Sequence, residues 1–114
     1  MGYYTNFKIE FGNHSQEDEF KLRESIKQCC PQLVSALEYE YPSEYEDYLL
    51  EEEIFIYAKW YDFDREISAL SEKHPNLNIT LYGHGEEIRD EWVAYAKAGQ
   101  YEDYRLEYPN TTLW

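Results

Sequence analysis

A chain of 114 residues that sets 24 Asp+Glu against ten Lys+Arg carries a formal charge of −14. Such a chain repels nucleic-acid phosphates and anionic lipid headgroups and attracts cationic partners, so no direct binding to nucleic acid or membrane is expected. An aromatic share of 18% argues against disorder, because rings repay chain entropy, and the length suits a single domain over residues 1–114.

No apolar run approaches the roughly 18 residues a membrane span requires. The start, Met1-Gly2-Tyr3-Tyr4, has neither the basic nor the apolar region of a signal peptide, so a cytoplasmic protein is expected. Cys29 and Cys30 are adjacent; neighbours rarely pair, and two thiols make no zinc site, which predicts reduced cysteines.

Residues Tyr3 to Phe11 alternate, with Phe7, Ile9 and Phe11 on one face and Lys8 and Glu10 on the other, the period of a half-buried strand. Gly12-Asn13-His14 breaks it. Ser15 followed by Asp18 resembles a capping box, and a helix from about Gln16 carries Leu22, Ile26, Cys29 and Leu33 at helical spacing, with Glu17, Asp18 and Glu19 in its first turn. Pro31 ends or kinks that helix, or opens a second one bearing Leu33, Val34 and Leu37.

The stretch 38–53, EYEYPSEYEDYLLEEE, holds eight acids, four tyrosines and no base. Pro42-Ser43 predicts a loop or short helix there. Ile54 to Tyr61 alternates as a strand, Ile54, Ile56, Ala58 and Trp60 on one face and Phe55, Tyr57, Lys59 and Tyr61 on the other, so both faces are expected to be covered in part. Asp62 or Asp64 then caps a helix that turns Phe63, Ile67 and Leu70 inward, and His74-Pro75-Asn76 stops it. Asn78 to Tyr82 reads as a short strand, and Gly83-His84-Gly85 as a turn or bulge. Two further strands, Glu91 to Ala98 and Gln100 to Tyr108, meet at Ala98-Gly99, a hairpin turn. The order β-α-β-α-β-β-β predicts an α+β protein, a two-layer α/β sandwich with a mixed sheet and a C-terminal hairpin; a ferredoxin-like arrangement is the nearest common fold, though the order does not match it cleanly.

The residues Trp60-Tyr61, Leu70-Ser71-Glu72-Lys73-His74-Pro75, Leu81-Tyr82-Gly83-His84-Gly85-Glu86-Glu87, Asp90-Glu91-Trp92, Tyr95 and Gly99 form the pattern LSxxxPxLxxxLxGxGEExxDxW. It resembles a pattern in small, mostly uncharacterised proteins of phages and their bacterial hosts. The resemblance covers the second half of the chain. It implies a strand–helix–strand–hairpin scaffold and an origin in a mobile element, and it brings no catalytic motif.

Local motifs give little chemistry. The glutamates after Gly83-His84-Gly85 would repel a phosphate, so the glycines read as conformational. His14, His74 and His84, even with Asp62, Glu86 or Glu87, lack a ligand spacing, and no metal or cofactor is expected. Carboxylates are so abundant that no pair stands out as a catalytic acid and base, and no enzyme is expected.

Tyr57, Tyr61, Tyr101, Tyr104 and Tyr108 read as core or sheet-face residues. Tyr39, Tyr41, Tyr45 and Tyr48 are interleaved with acids, a composition shared by interfaces and by solvated loops. The expected partner-binding set is Glu38, Glu40, Tyr41, Glu44, Tyr45, Glu46, Asp47, Tyr48, Glu51, Glu52 and Glu53. The expected partner is a basic protein, such as a nuclease or a CRISPR or restriction effector, engaged by carboxylates that imitate phosphate spacing. An immunity protein or antitoxin facing a basic nuclease toxin would use the same physics, and a small regulatory or structural interaction module is the competing class.

Overall fold

A computed structural model describes residues 4–13, 17–49, 51, 53–86 and 90–105. The elements run β1 (Thr5–Gly12), α1 (Glu19–Cys29), α2 (Pro31–Glu40), α3 (Tyr45–Tyr48), β2 (Glu53–Ala58), α4 (Phe63–Lys73), β3 (Asn78–Gly85), β4 (Glu91–Lys97) and β5 (Gln100–Arg105). The five strands form one sheet in the order β2-β1-β3-β4-β5. The α+β two-layer sandwich is present as expected. Every neighbouring pair is antiparallel, however, so the sheet is not mixed.

The three-helix connection from β1 to β2 lets β2 return as an antiparallel neighbour of β1. β2 and β3 then run parallel on either side of β1, joined through α4, as a split β-α-β unit. A ferredoxin-like sheet has two such units; this one has a meander in place of the second.

Among the described residues, the helices pack on one sheet face only. Phe7, Ile9, Phe11, Ile54, Ile56, Ile79 and Leu81 from the strands meet Leu22, Ile26, Leu33, Leu37, Ile67 and Leu70 from the helices, all nearly inaccessible. Asp18 rather than Ser15 caps α1, its carboxylate accepting from the Lys21 N–H at 3.0 Å, so Glu17 and Asp18 precede the helix. Ser15 and Gln16 lie outside the described residues. Pro31 stands at the first turn of α2, where its missing N–H costs nothing. Its neighbours Gln32 and Leu33 direct their N–H groups at Glu66, buried on α4, at 3.3 and 3.4 Å, and Trp60 Nε1–H donates to the same carboxylate at 3.0 Å. Burial, opposed by these donors, holds the Glu66 carboxyl above its ordinary value. Trp60 itself lies beyond the end of β2 but is buried in the same core as Ile54 and Ile56.

Gly83-His84-Gly85 is neither turn nor bulge. It continues β3 in register, Gly83 opposite both Phe7 and Trp92. The glycine is needed for space: a β-carbon on it would stand 2.1 Å from Trp92 Cε2. The Trp92 ring thereby crosses the strand to stack on Phe63, with ring centres 4.6 Å apart, and to meet Phe7 edge-on. The hairpin at Ala98-Gly99 is present, both residues at positive φ (51° and 84°). The Gly99 N–H is held by the buried Ser71 Oγ at 3.0 Å.

Candidate protein-interaction surface

The acidic segment divides between α2, α3 and the start of β2. Glu38, Tyr39 and Glu40 close α2 on its exposed side, and Tyr39 is 90% accessible. Tyr41, Tyr45 and Tyr48 are half-buried and packed against the core, with Tyr41 and Tyr48 ring centres 4.2 Å apart. Leu49 follows, fully buried. Three of the four tyrosines therefore pin the segment to the domain, leaving the acids outside. Burial, with the nearby Glu40 charge, pushes the Tyr41 phenol up.

Glu44, Glu46, Asp47, Glu51 and Glu53 are exposed, and Glu52 lies outside the described residues. Lys27 on α1 forms an ion pair with Glu46 and, by hydrogen bond and charge, holds that carboxyl below the usual range. Among the described residues, Glu38, Glu40, Glu44, Asp47, Glu51 and Glu53 have no ion-pair partner.

A second surface went unrecognised in the sequence: the sheet face that no described helix covers. Strand register places Phe55, Lys8, Tyr82, Val93 and Tyr104 in one row across all five strands. The next row is Glu53, Glu10, Thr80, Tyr95 and Glu102, and on the other side come Tyr57, Asn6, His84 and Glu91. Phe55, Tyr57, Tyr82, Tyr95 and Tyr104 are all exposed here, Phe55 by 58%. Lys8 Nζ sits 4.5 Å from the centre of the Tyr82 ring and 3.8 Å from Glu10 Oε1. Burial, then a hydrogen bond to Glu10, pushes the Tyr82 phenol up. Tyr95 and Tyr104 meet edge-on, and Tyr4 stacks on Tyr57 with Lys59 above it at 5.0 Å.

A groove of about 350 Å³ opens on this face between Phe55, Lys8, Tyr82, His84 and Glu91. Another, of about 700 Å³, runs between α2 and the end of β2, past Tyr39, Glu40, Tyr57 and Lys59. Part of the signal for the open face was already in the alternation: Phe55, Tyr57, Tyr82 and Tyr95 each lie one residue out of phase with a buried neighbour, whereas Tyr104 stands in a strand exposed along most of its length.

The histidines do not converge. His74 Nδ1 lies 2.5 Å from Glu17 Oε1, His84 is exposed beside Glu91, and His14 is outside the described residues. No group of three metal-ligating side chains occurs among the described residues, and no described helix is long and apolar enough to cross a membrane. Comparisons with protein-family models, with curated proteins and with solved structures found no match for this chain.

Proposed function

We propose that the chain is a non-enzymatic, acidic binding protein that occupies a Lys/Arg-lined surface of a nucleic-acid-handling protein, as an inhibitor of the anti-CRISPR or anti-restriction kind from a phage or other mobile element. The observation that carries this reading is the set of six exposed acids at 38–53 without ion-pair partners among the described residues, on a chain of charge −14. Unpaired carboxylates held on a pinned segment present a fixed negative field, which raises association rates with a cationic groove. An immunity protein against a basic nuclease toxin is the same physical device with a different partner, and the partner's identity separates the two.

The test is affinity capture from host lysate with salt-graded elution, followed by kinetics on the captured partner. A basic nuclease or effector released by moderate salt is the expected result. Neutralising Glu38, Glu40 and Glu44 to Gln should slow association and flatten its salt dependence. Neutralising the exposed Glu19, Asp64 and Glu72, which belong to neither surface, should do so less. Equal effects would reduce the segment to bulk charge, and capture of a neutral partner, or turnover of a small molecule, would overturn the reading.

A further inference from the structure

We propose that the open face of the sheet is a docking surface for arginine side chains of a basic protein partner, whose guanidinium planes stack on its rings and pair with its carboxylates. The inference rests on the reading of this chain as an acidic binding protein, and it places the contact on the open sheet face, which shares only Glu53 with the acidic segment.

Five strand-borne aromatic rings on a face that no described element covers are the first observation. They sit at fixed positions on paired strands, and the row from Phe55 to Tyr104 spans roughly 19 Å at the usual strand spacing. Rigid rings lose little entropy on binding, which is why aromatics anchor interfaces.

The second observation is charge. Glu10 and Glu53 are cross-strand neighbours on this face, an arrangement that costs stability because like charges directly opposite repel. Lys8 relieves Glu10 alone; Glu53 has no ion-pair partner among the described residues. Glu102 at the far edge is exposed and accepts from the Tyr104 hydroxyl at 2.7 Å. A cation entering between ring and carboxylate would satisfy both.

The third observation is that cations already use these rings. Two of the chain's few lysines lie over tyrosines at this face, Lys8 over Tyr82 and Lys59 over Tyr4. Arginine fits the remaining rings better than lysine, since a planar guanidinium stacks on a ring while its N–H groups reach a carboxylate in a fork.

Charge also selects among occupants. A second copy would bring another −14 against the same acids. Single-stranded nucleic acid stacks on aromatic sheet faces, but there the surrounding field is positive. Here it is negative.

The experiment is a titration of the isotope-labelled full chain, followed by NMR, with a short arginine-rich peptide and with its lysine-for-arginine twin. Expected are shifts of Phe55, Tyr82, Tyr95 and Tyr104 signals, with the arginine peptide bound about threefold tighter or more. The combined variant Phe55→Ser, Tyr95→Ser, Tyr104→Ser should weaken binding about tenfold or more. Phe20→Ser, which removes an exposed ring away from the sheet, should not. Should the triple variant fail to fold, the wild-type shift map decides.

Shifts confined to 38–51, or equal affinity for the two peptides, would overturn the inference while leaving the acidic binding protein intact. Binding of neither peptide at low salt would remove both. Probe-independent, concentration-dependent shifts on the face would assign it to a second copy. Saturable binding of a single-stranded oligonucleotide there would assign it to nucleic acid. Either result overturns the proposal.

Discussion

Trp92 occupies the space a side chain at position 83 would need, and that single exclusion organises the inner aromatic cluster. With Gly83 in place, the ring reaches Phe63 and Phe7. Gly83→Ala would drive a methyl into the indole, 2.1 Å away at its closest atom. The ring must then leave its stack or the strands must part, and overpacking of this kind costs about 1–3 kcal/mol. Urea unfolding of the variant at equilibrium should show that loss; an unchanged midpoint would mean the indole has a second place to go. The glycine was visible in the sequence, but its reason was not. A glycine that makes room for a ring 9 residues onward reads the same as one that turns the chain, until register is known. Trp60 was more legible, because it kept the phase of Ile54, Ile56 and Ala58. Its acceptor, Glu66, was not, because a buried glutamate on an amphipathic helix resembles any solvated one.

Among the elements, the β4–β5 hairpin shows how far local turn chemistry carries. Ala98-Gly99 was a recognisable turn between two alternating runs, and both residues adopt the positive φ that such two-residue turns demand. Alanine is poorly suited to that region, where an L side chain costs roughly 1–2 kcal/mol. Ala98→Asn should therefore raise the unfolding midpoint, by about 1 kcal/mol in stability, since asparagine is the favoured first residue of this turn. A lower midpoint would show that the turn is held by Ser71 in a form that asparagine cannot adopt. Pro31 was similarly legible as a helix opener. The acidic segment was harder. Its tyrosines looked like partner anchors beside so many acids, yet three of them contribute to this domain's own packing, and only tertiary contact distinguishes the two uses of a ring.

For the molecule as a whole, alternation marked an apolar face on β1, β2 and β3, but it left both faces of β2 expected to be covered in part, where Phe55 and Tyr57 are exposed. It did not disclose that all the helices would gather on the apolar one, because strand order and direction depend on long-range pairing. The same long-range pairing governs how the chain is made. β1 lies inside the sheet, between β2 and β3, but precedes both partners in the chain: β2 ends at Ala58 and β3 at Gly85. During synthesis at about 5–20 residues per second, β1 therefore waits several seconds with both edges unsatisfied. Lys8 and Glu10, alternating with Phe7, Ile9 and Phe11, put charge into that strand, and charges so placed disfavour pairing with a neighbouring nascent chain. Ribosome-bound chains arrested with residues up to 70 exposed should remain open to protease, and those with residues beyond 97 exposed should resist it. Early protection would mean that β1 finds a temporary partner, and uniform sensitivity would mean that folding waits for release.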